Sequence, residues 1–300
     1  MDTLPEDSYR RQVLEFVTGY YQGSAGDSEF LPSVICQTLL PNGIDRAVPI
    51  TAAWQLVRLA AKIYDDVEDG EIKEDIPNTL NFATGCLFAA QLALTHLTKF
   101  EVNQEKALLV MKRFAQFCLC ACAGQHADLS ANKNPLILDP DGWLKIASLK
   151  SGELFAWAAW SGSVVASNDE EIQLKFLELG RHMGIMVQIA DDFNGLWGKD
   201  DEDDLTQGKS SLPICYARLV AQGQERELLE RCLIESTQGN LTSAKASREI
   251  IVRLGGQSFL ISAAWLERRK AVNILRELPI LFEKKEGILS IFGMVQIRLT

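Results

Sequence analysis

Three hundred residues with 47% hydrophobic and 23% charged side chains are enough to build a full globular core. A formal net charge of −10 leaves no basic stripe for a phosphate backbone, which argues against a nucleic-acid partner. The acidic, polar start Met1-Asp2-Thr3-Leu4-Pro5-Glu6-Asp7 is unlike a secretory leader, and no apolar run reaches membrane-spanning length without a charge.

Nearly every segment has helical period, and none shows strand alternation. Pro5 is expected to open a first helix with an apolar stripe of Tyr9, Val13, Phe16, Val17 and Tyr20, ended by the turn at 23–28. A short helix from Leu31 to Leu40 stops at Pro41-Asn42-Gly43, and a longer one runs from Ala47 to Asp69. Two long apolar helices follow, from Thr79 to Phe100 and from Asn103 to about Leu129, then a loop from Ser130 to Gly142. Trp143 to Ala166 is a helix crossed midway by Lys150-Ser151-Gly152. Ser167-Asn168-Asp169-Glu170 has the pattern of a capping box opening the next helix. Gly198 to Lys209 is a charged loop whose acids, Asp200 to Asp204, are expected to face solvent. Pro213 starts a further helix, and the remainder divides at Gly239 and Gly255-Gly256. With no linker or repeat, residues 1–300 are expected to form one all-α domain.

Seven cysteines lie mostly within apolar helical runs, and Cys118, Cys120 and Cys122 alternate. On a helix that spacing scatters them, so they are expected to be buried thiols in a reducing cytoplasm. The three histidines, His96, His126 and His182, are not paired at zinc-ligand spacing.

Two acidic motifs each close an apolar helical run. In Ile63-Tyr64-Asp65-Asp66-Val67-Glu68-Asp69 the i, i+4 spacing puts Asp65 and Asp69 on one face, with Asp66 beside them. Gln188-Ile189-Ala190-Asp191-Asp192 repeats the arrangement. Carboxylates ending an apolar helix need a positive partner. If the two motifs face each other, the hard oxygen donors suit Mg²⁺, whose remaining ligands are water and substrate phosphate. Lys150 and Lys209 are placed to complete an anion cradle, Lys209 just ahead of a helix start. A single Asp-Asp-x-x-Asp more often marks a solvated helix end; it is the pairing that points to a site. Lys62 is expected to pair with Asp66 at i, i+4.

The ordered set of motifs resembles the trans-isoprenyl diphosphate synthase (polyprenyl synthetase) family. The residues that carry the likeness are 63–69, Gly124-Gln125 with Asp128, Lys150-Ser151-Gly152-Glu153-Leu154-Phe155, Gly184 to Asp192, and Asp204-Leu205-Thr206-Gln207-Gly208-Lys209-Ser210-Ser211-Leu212-Pro213. The resemblance runs from about Leu31 to Ala217. It implies an isoprenoid-synthase-type helical bundle around a central cavity, a homodimer, an allylic prenyl diphosphate substrate, and about three Mg²⁺ ions. By that resemblance Asp65, Asp69 and Asp191 are the metal ligands, with Asp66 and Asp192 supporting. Lys150, Gln188 and Lys209 contact the allylic diphosphate. Ala60 and Ala61 line the cavity, and small residues there resemble the sets that accept chains of about twenty carbons or longer.

The departures bear on the second substrate. Chain-elongating members grip isopentenyl diphosphate with a basic Gly-Lys-Arg-x-Arg-Pro segment, where this chain has Asp27-Ser28-Glu29-Phe30-Leu31-Pro32. Their Arg-Arg pair after the first motif is matched by Glu74-Asp75, a histidine before that motif by Arg58, and the last aspartate of the second motif by Gly195. Each cation lost beside a diphosphate weakens binding by about 1.5–3 kcal/mol.

The departures point first to an enzyme that ionises an allylic diphosphate and quenches the carbocation internally, or passes it to another acceptor. Arg58 is then a candidate substrate contact. Phe82, Phe88, Phe155, Trp157 and Trp160 are candidate cation-stabilising rings, though such rings are more often core. The alternatives are an ordinary prenyltransferase with an altered dock and a non-catalytic regulatory subunit. The sequence leaves open whether Asn194 takes over from the missing aspartate.

Overall fold

The computed structural model describes residues 30–133, 138–198 and 204–280, together with 9, 11, 13, 18, 284, 285, 287 and 288. Among these residues the regular structure is all helical. The helices are α1 (Leu31–Leu39), α2 (Val48–Glu68), α3 (Ile76–Leu94), α4 (Gln104–Lys133), α5 (Pro140–Ala147), α6 (Glu153–Ala166), α7 (Glu170–Trp197), α8 (Asp204–Gln207), α9 (Leu212–Val220), α10 (Gly223–Thr237), α11 (Leu241–Arg253) and α12 (Gly256–Glu277). Short 3₁₀ turns, Ile44–Ala47 and Leu97–Phe100, precede α2 and follow α3.

The sequence marks most of these starts. Proline stands in the first turn of α1, α2, α3, α5 and α9, where its missing N–H costs nothing. Asp139 caps α5 by accepting from the Gly142 N–H at 2.7 Å, and Asn240 caps α11. The cap of α7 is Asp169, which accepts from the Glu171 and Ile172 N–H groups. The expected box built on Ser167 does not form, because the helix begins only at Glu170. The expected loop from Ser130 is likewise helical through Lys133, and Pro140 starts α5.

The chain divides into two compact units, one of residues 1–112, 161–168 and 282–294, the other of 113–160, 169–281 and 295–300. In the first unit α2 and α3 pack along one another. Leu31, Ile35, Ile50, Trp54, Leu59 and Ile63 form its fully buried centre. The Lys106 ammonium donates to the Val164 and Ser167 carbonyls at 2.5 and 2.9 Å, satisfying the C-terminal end of α6.

In the second unit α12 packs along α7, and α10 packs on α11. One core gathers Leu196, Leu205, Ile214, Leu229 and Ile251. Another gathers Trp143, Ile185, Ile189, Leu212 and Leu260. Of the rings considered for cation stabilisation, Trp157, Phe155, Trp160 and Phe82 are buried, as core residues are. Phe88 is 64% exposed. Cys36, Cys86, Cys215 and Cys232 are buried free thiols, and Cys122 is exposed.

Candidate active site

The first aspartate motif is the last turn of α2. Asp65, Asp66 and Asp69 are half-buried there, and the Asp69 N–H closes the helix on the Asp65 carbonyl at 2.8 Å. The chain then turns sharply through Gly70, whose φ of +73° a residue with a side chain rarely adopts. Lys62 pairs with Asp66 at 2.6 Å and lies 3.9 Å from Glu71, as the i, i+4 spacing anticipated. Arg58 lies one turn earlier, its guanidinium 5.5 Å from the centre of the buried Trp54 ring. Trp54 thus supplies a cation–π neighbour that spacing alone did not suggest. Glu74 and Asp75 are exposed, and Asp75 accepts from the Asn78 amide at 2.9 Å. Asp27 to Glu29 lie outside the described residues.

Ala60 and Ala61 do not stand alike. Ala60 is completely buried, within a cluster that includes Val13, Phe82 and Ala83, whereas Ala61 is exposed. The space that the small Ala60 side chain was expected to leave is therefore filled from other parts of the chain.

The second motif lies in the other unit, near the end of α7. Asp191 is exposed and accepts from the Gln188 amide at 3.2 Å. Asp192 turns inward, and its carboxylate accepts from the Leu212 N–H at 2.5 Å, at the start of α9. A helix N-terminus is a favourable place for an anion. Even so, burial and then the Asp204 carboxylate push the Asp192 carboxyl well above its usual range. The Leu212 N–H opposes them, and Asp128 and Asp191 add to the rise.

Asp204 corrects the expectation of a solvated acidic loop. It is 5% exposed, and its carboxylate fills the place that a Cβ on Gly195 would take. Gly195 is thus not simply a lost carboxylate: its missing side chain makes room for one from further along the chain. Asn194, the other candidate, is exposed. Asp200 to Asp203 lie outside the described residues.

The two lysines sit against this acidic group. The Lys150 ammonium is 3.0 Å from Asp128, and that of Lys209 is 3.8 Å from Asp204. Lys209 also lines a pocket of about 310 Å³ with Asn132, Arg218 and Thr237. Lys150 occupies a π-helical turn, Ser148–Gly152, between α5 and α6. Such turns are rare and often mark functional positions. This one is held by close approach: a Cβ on Gly124 would strike the Lys150 backbone, and one on Gly184 the Ser151 carbonyl. Sequence periodicity carried no sign of the extra residue in the turn.

The donor chemistry fits magnesium. Every predicted ligand is a carboxylate oxygen, and no three His, Cys, Asp or Glu side chains among the described residues converge tightly enough to enclose a cation alone. Mg²⁺ typically takes one or two carboxylates and leaves its other positions to water and phosphate.

Comparison with known proteins places the chain in a family. Residues 31–250 match the polyprenyl synthetase family. The chain is 26% identical over 262 residues to a geranylfarnesyl diphosphate synthase of Aeropyrum pernix, covering 82% of this chain and 80% of that one. It is 24% identical over 296 residues to a geranylgeranyl diphosphate synthase of Saccharolobus solfataricus, covering 92% and 87%. A geranylgeranyl pyrophosphate synthetase from Pyrococcus horikoshii superposes with a TM-score of 0.83 at 19% identity, covering 96% and 91%. A polyprenyl synthetase from Streptomyces coelicolor gives 0.80 at 21%, covering 92% and 86%. These structures share the expected isoprenoid-synthase-type helical fold. The family match takes in both aspartate motifs and the lysine segments between and after them, and the chain belongs to the polyprenyl synthetase family, the trans-isoprenyl diphosphate synthases.

Proposed function

We propose that the protein is a Mg²⁺-dependent prenyl diphosphate synthase that ionises an allylic prenyl diphosphate and joins the cation to isopentenyl diphosphate, with residues 1–300 acting as one catalytic domain. The observation that carries this reading is the pair of acid-ended helices with a lysine on each side of the second. The relatives, named as synthases of this kind across most of the chain, favour elongation over the internal quenching that the sequence first suggested.

On this reading Asp65, Asp69 and Asp191 hold the metal, and Asp66 and Asp192 support them. Mg²⁺ held by these carboxylates would neutralise the charge that grows on the departing diphosphate. Lys150 and Lys209 bind the same diphosphate through charge-assisted hydrogen bonds, and Gln188 orients it. Asp128 accepts a hydrogen bond from Lys150, which orients that ammonium before substrate arrives, and Asp204 lies 3.8 Å from Lys209. The Leu212 N–H fixes Asp192, leaving Asp191 outermost. A homodimer accounts for the exposed apolar residues Phe88, Leu92 and Leu108 on α3 and α4, which a second copy would cover.

A second reading rests on one observation. Glu74 and Asp75 are exposed acids where elongating relatives place cations, and acids repel a second diphosphate. The cation would then be quenched internally or by another acceptor. Incubation with Mg²⁺, an allylic diphosphate and labelled isopentenyl diphosphate separates the two. Labelled, elongated prenyl diphosphate is the expected product. Diphosphate release with no incorporated label would favour the second reading, and no release at all would count against both.

A further inference from the structure

The first aspartate motif stands five residues beyond Ala60 on α2, a rise of about 7.5 Å. A prenyl chain whose diphosphate is held at Asp65 and Asp69, and whose tail runs back along α2, reaches the level of Ala60. Neither Ala60 nor Ala61 has the bulk to stop it. The structure supplies that bulk from elsewhere. Tyr9, in a helical part of the N-terminal segment, packs against the cluster that buries Ala60, and Val13 is inside that cluster. The Tyr9 hydroxyl lies where a Cβ on Gly85 of α3 would go. The hydroxyls of Tyr64 and Thr84 meet at 2.9 Å, which sets the Gly85 turn of α3 level with this part of α2. Burial, with Cys86 nearby, pushes the Tyr9 phenol above its ordinary value, consistent with an end withdrawn from water.

Part of the wall that Tyr9 packs against is small, although Phe82 and Ile63 belong to the same cluster. Ala60 and Ala83 are fully buried, and Gly85 has no side chain. We propose that Tyr9 is the stop that limits the length of prenyl chain the protein accepts. The assignment rests on the prenyl diphosphate reading above and adds to it a specificity-determining residue that lies far from both aspartate motifs in the chain. It also explains why small residues before the first motif need not mean a long product: the limit has moved to another segment.

The test measures binding, so it does not depend on what captures the cation. Unreactive thio analogues of the ten-, fifteen-, twenty- and twenty-five-carbon allylic diphosphates are titrated, with Mg²⁺, into wild type and into Tyr9→Ala, Tyr9→Phe and Tyr9→Trp. Wild type is expected to lose affinity beyond one length. Tyr9→Ala should bind the first excluded length at least tenfold more tightly. Tyr9→Phe keeps the ring and should match wild type, and Tyr9→Trp should exclude a length that wild type accepts. If Tyr9→Ala folds and shows the wild-type length dependence, the assignment is overturned. Should Tyr9→Ala fail to fold, an unchanged limit in Tyr9→Trp overturns it equally. If no analogue binds to any of these proteins, the functional reading fails and this assignment fails with it.

Discussion

The Asp204 carboxylate occupies the space beside Gly195 where a side chain would otherwise stand. The two positions are coupled: a carboxylate can lie there from residue 204 only because residue 195 has none. Writing aspartate back into the second motif should therefore harm the protein. Gly195→Asp adds a clash and a further buried carboxyl group beside Asp204 and Asp192, at a cost of about 2–4 kcal/mol. Thermal unfolding should show a lower midpoint, with activity lost. A normal midpoint with raised activity would show that Asp204 does not fill the gap.

Lys150 is held by Asp128 in a π-helical turn packed on two glycines. Lys150→Met should weaken diphosphate binding about 10–100-fold, the loss of one charge-assisted contact. Asp128→Asn leaves the ammonium in place but less fixed and should cost less. Titration with inorganic diphosphate and Mg²⁺ ranks the two. Equal affinity in Lys150→Met and wild type would remove Lys150 from the site.

Asp192 offers a pH test. Burial first, then Asp204, hold its carboxyl well above the usual range. A folded pKa raised above the unfolded value contributes stability that is full below the unfolded value of about 3.9 and is lost as pH rises through the folded one. Metal-free protein should accordingly lose stability on that rise. In Asp192→Asn the amide oxygen still accepts from Leu212, and no charge is buried. Its metal-free midpoint at neutral pH should be higher by about 2 °C, with a flatter pH dependence. Melting curves in chelator, from about pH 4 to 8, check this. A lower midpoint with unchanged pH dependence would contradict it.

Away from the site, Glu267 on α12 is 4% exposed and meets His182 of α7 at 2.6 Å and Lys270 at 2.6 Å. Burial raises its carboxyl, but the two partners together outweigh burial and leave it below the usual range. A lowered folded pKa contributes stability above the unfolded value of about 4.3 and loses it as pH falls through the folded one. Glu267→Gln should cost about 2 kcal/mol at neutral pH while leaving the KM for the allylic diphosphate unchanged. Denaturant unfolding at neutral pH and near pH 3 should show the difference shrinking in acid. A difference that persists there would mean that lost packing, not charge, is responsible.

The parts legible in the sequence were local ones. Apolar period and prolines placed α1, α2 and the start of α9 closely, and i, i+4 spacing foretold the Lys62–Asp66 pair, whereas α3 starts three residues before and ends six residues before the expected bounds. The features it hid depend on distant neighbours. An acidic run such as 200–204 has the composition of a solvated loop, and Asp204 is buried because of a glycine nine residues earlier. Small residues at Ala60 and Ala61 suggested open space, yet Tyr9 and Val13 come from far up the chain to fill it. The π turn at Lys150 left only a Lys-Ser-Gly interruption in an apolar helix, because its cause is the close packing of Gly124 and Gly184.

The central claim is that both acidic helix ends serve one metal-dependent ionisation. It is tested most directly by diphosphate release from an allylic diphosphate with Mg²⁺, using wild type, Asp65→Asn and Asp191→Asn. The account predicts that each substitution cuts release about 100-fold or more while the melting temperature stays near that of wild type. Wild-type release by either folded variant would contradict it.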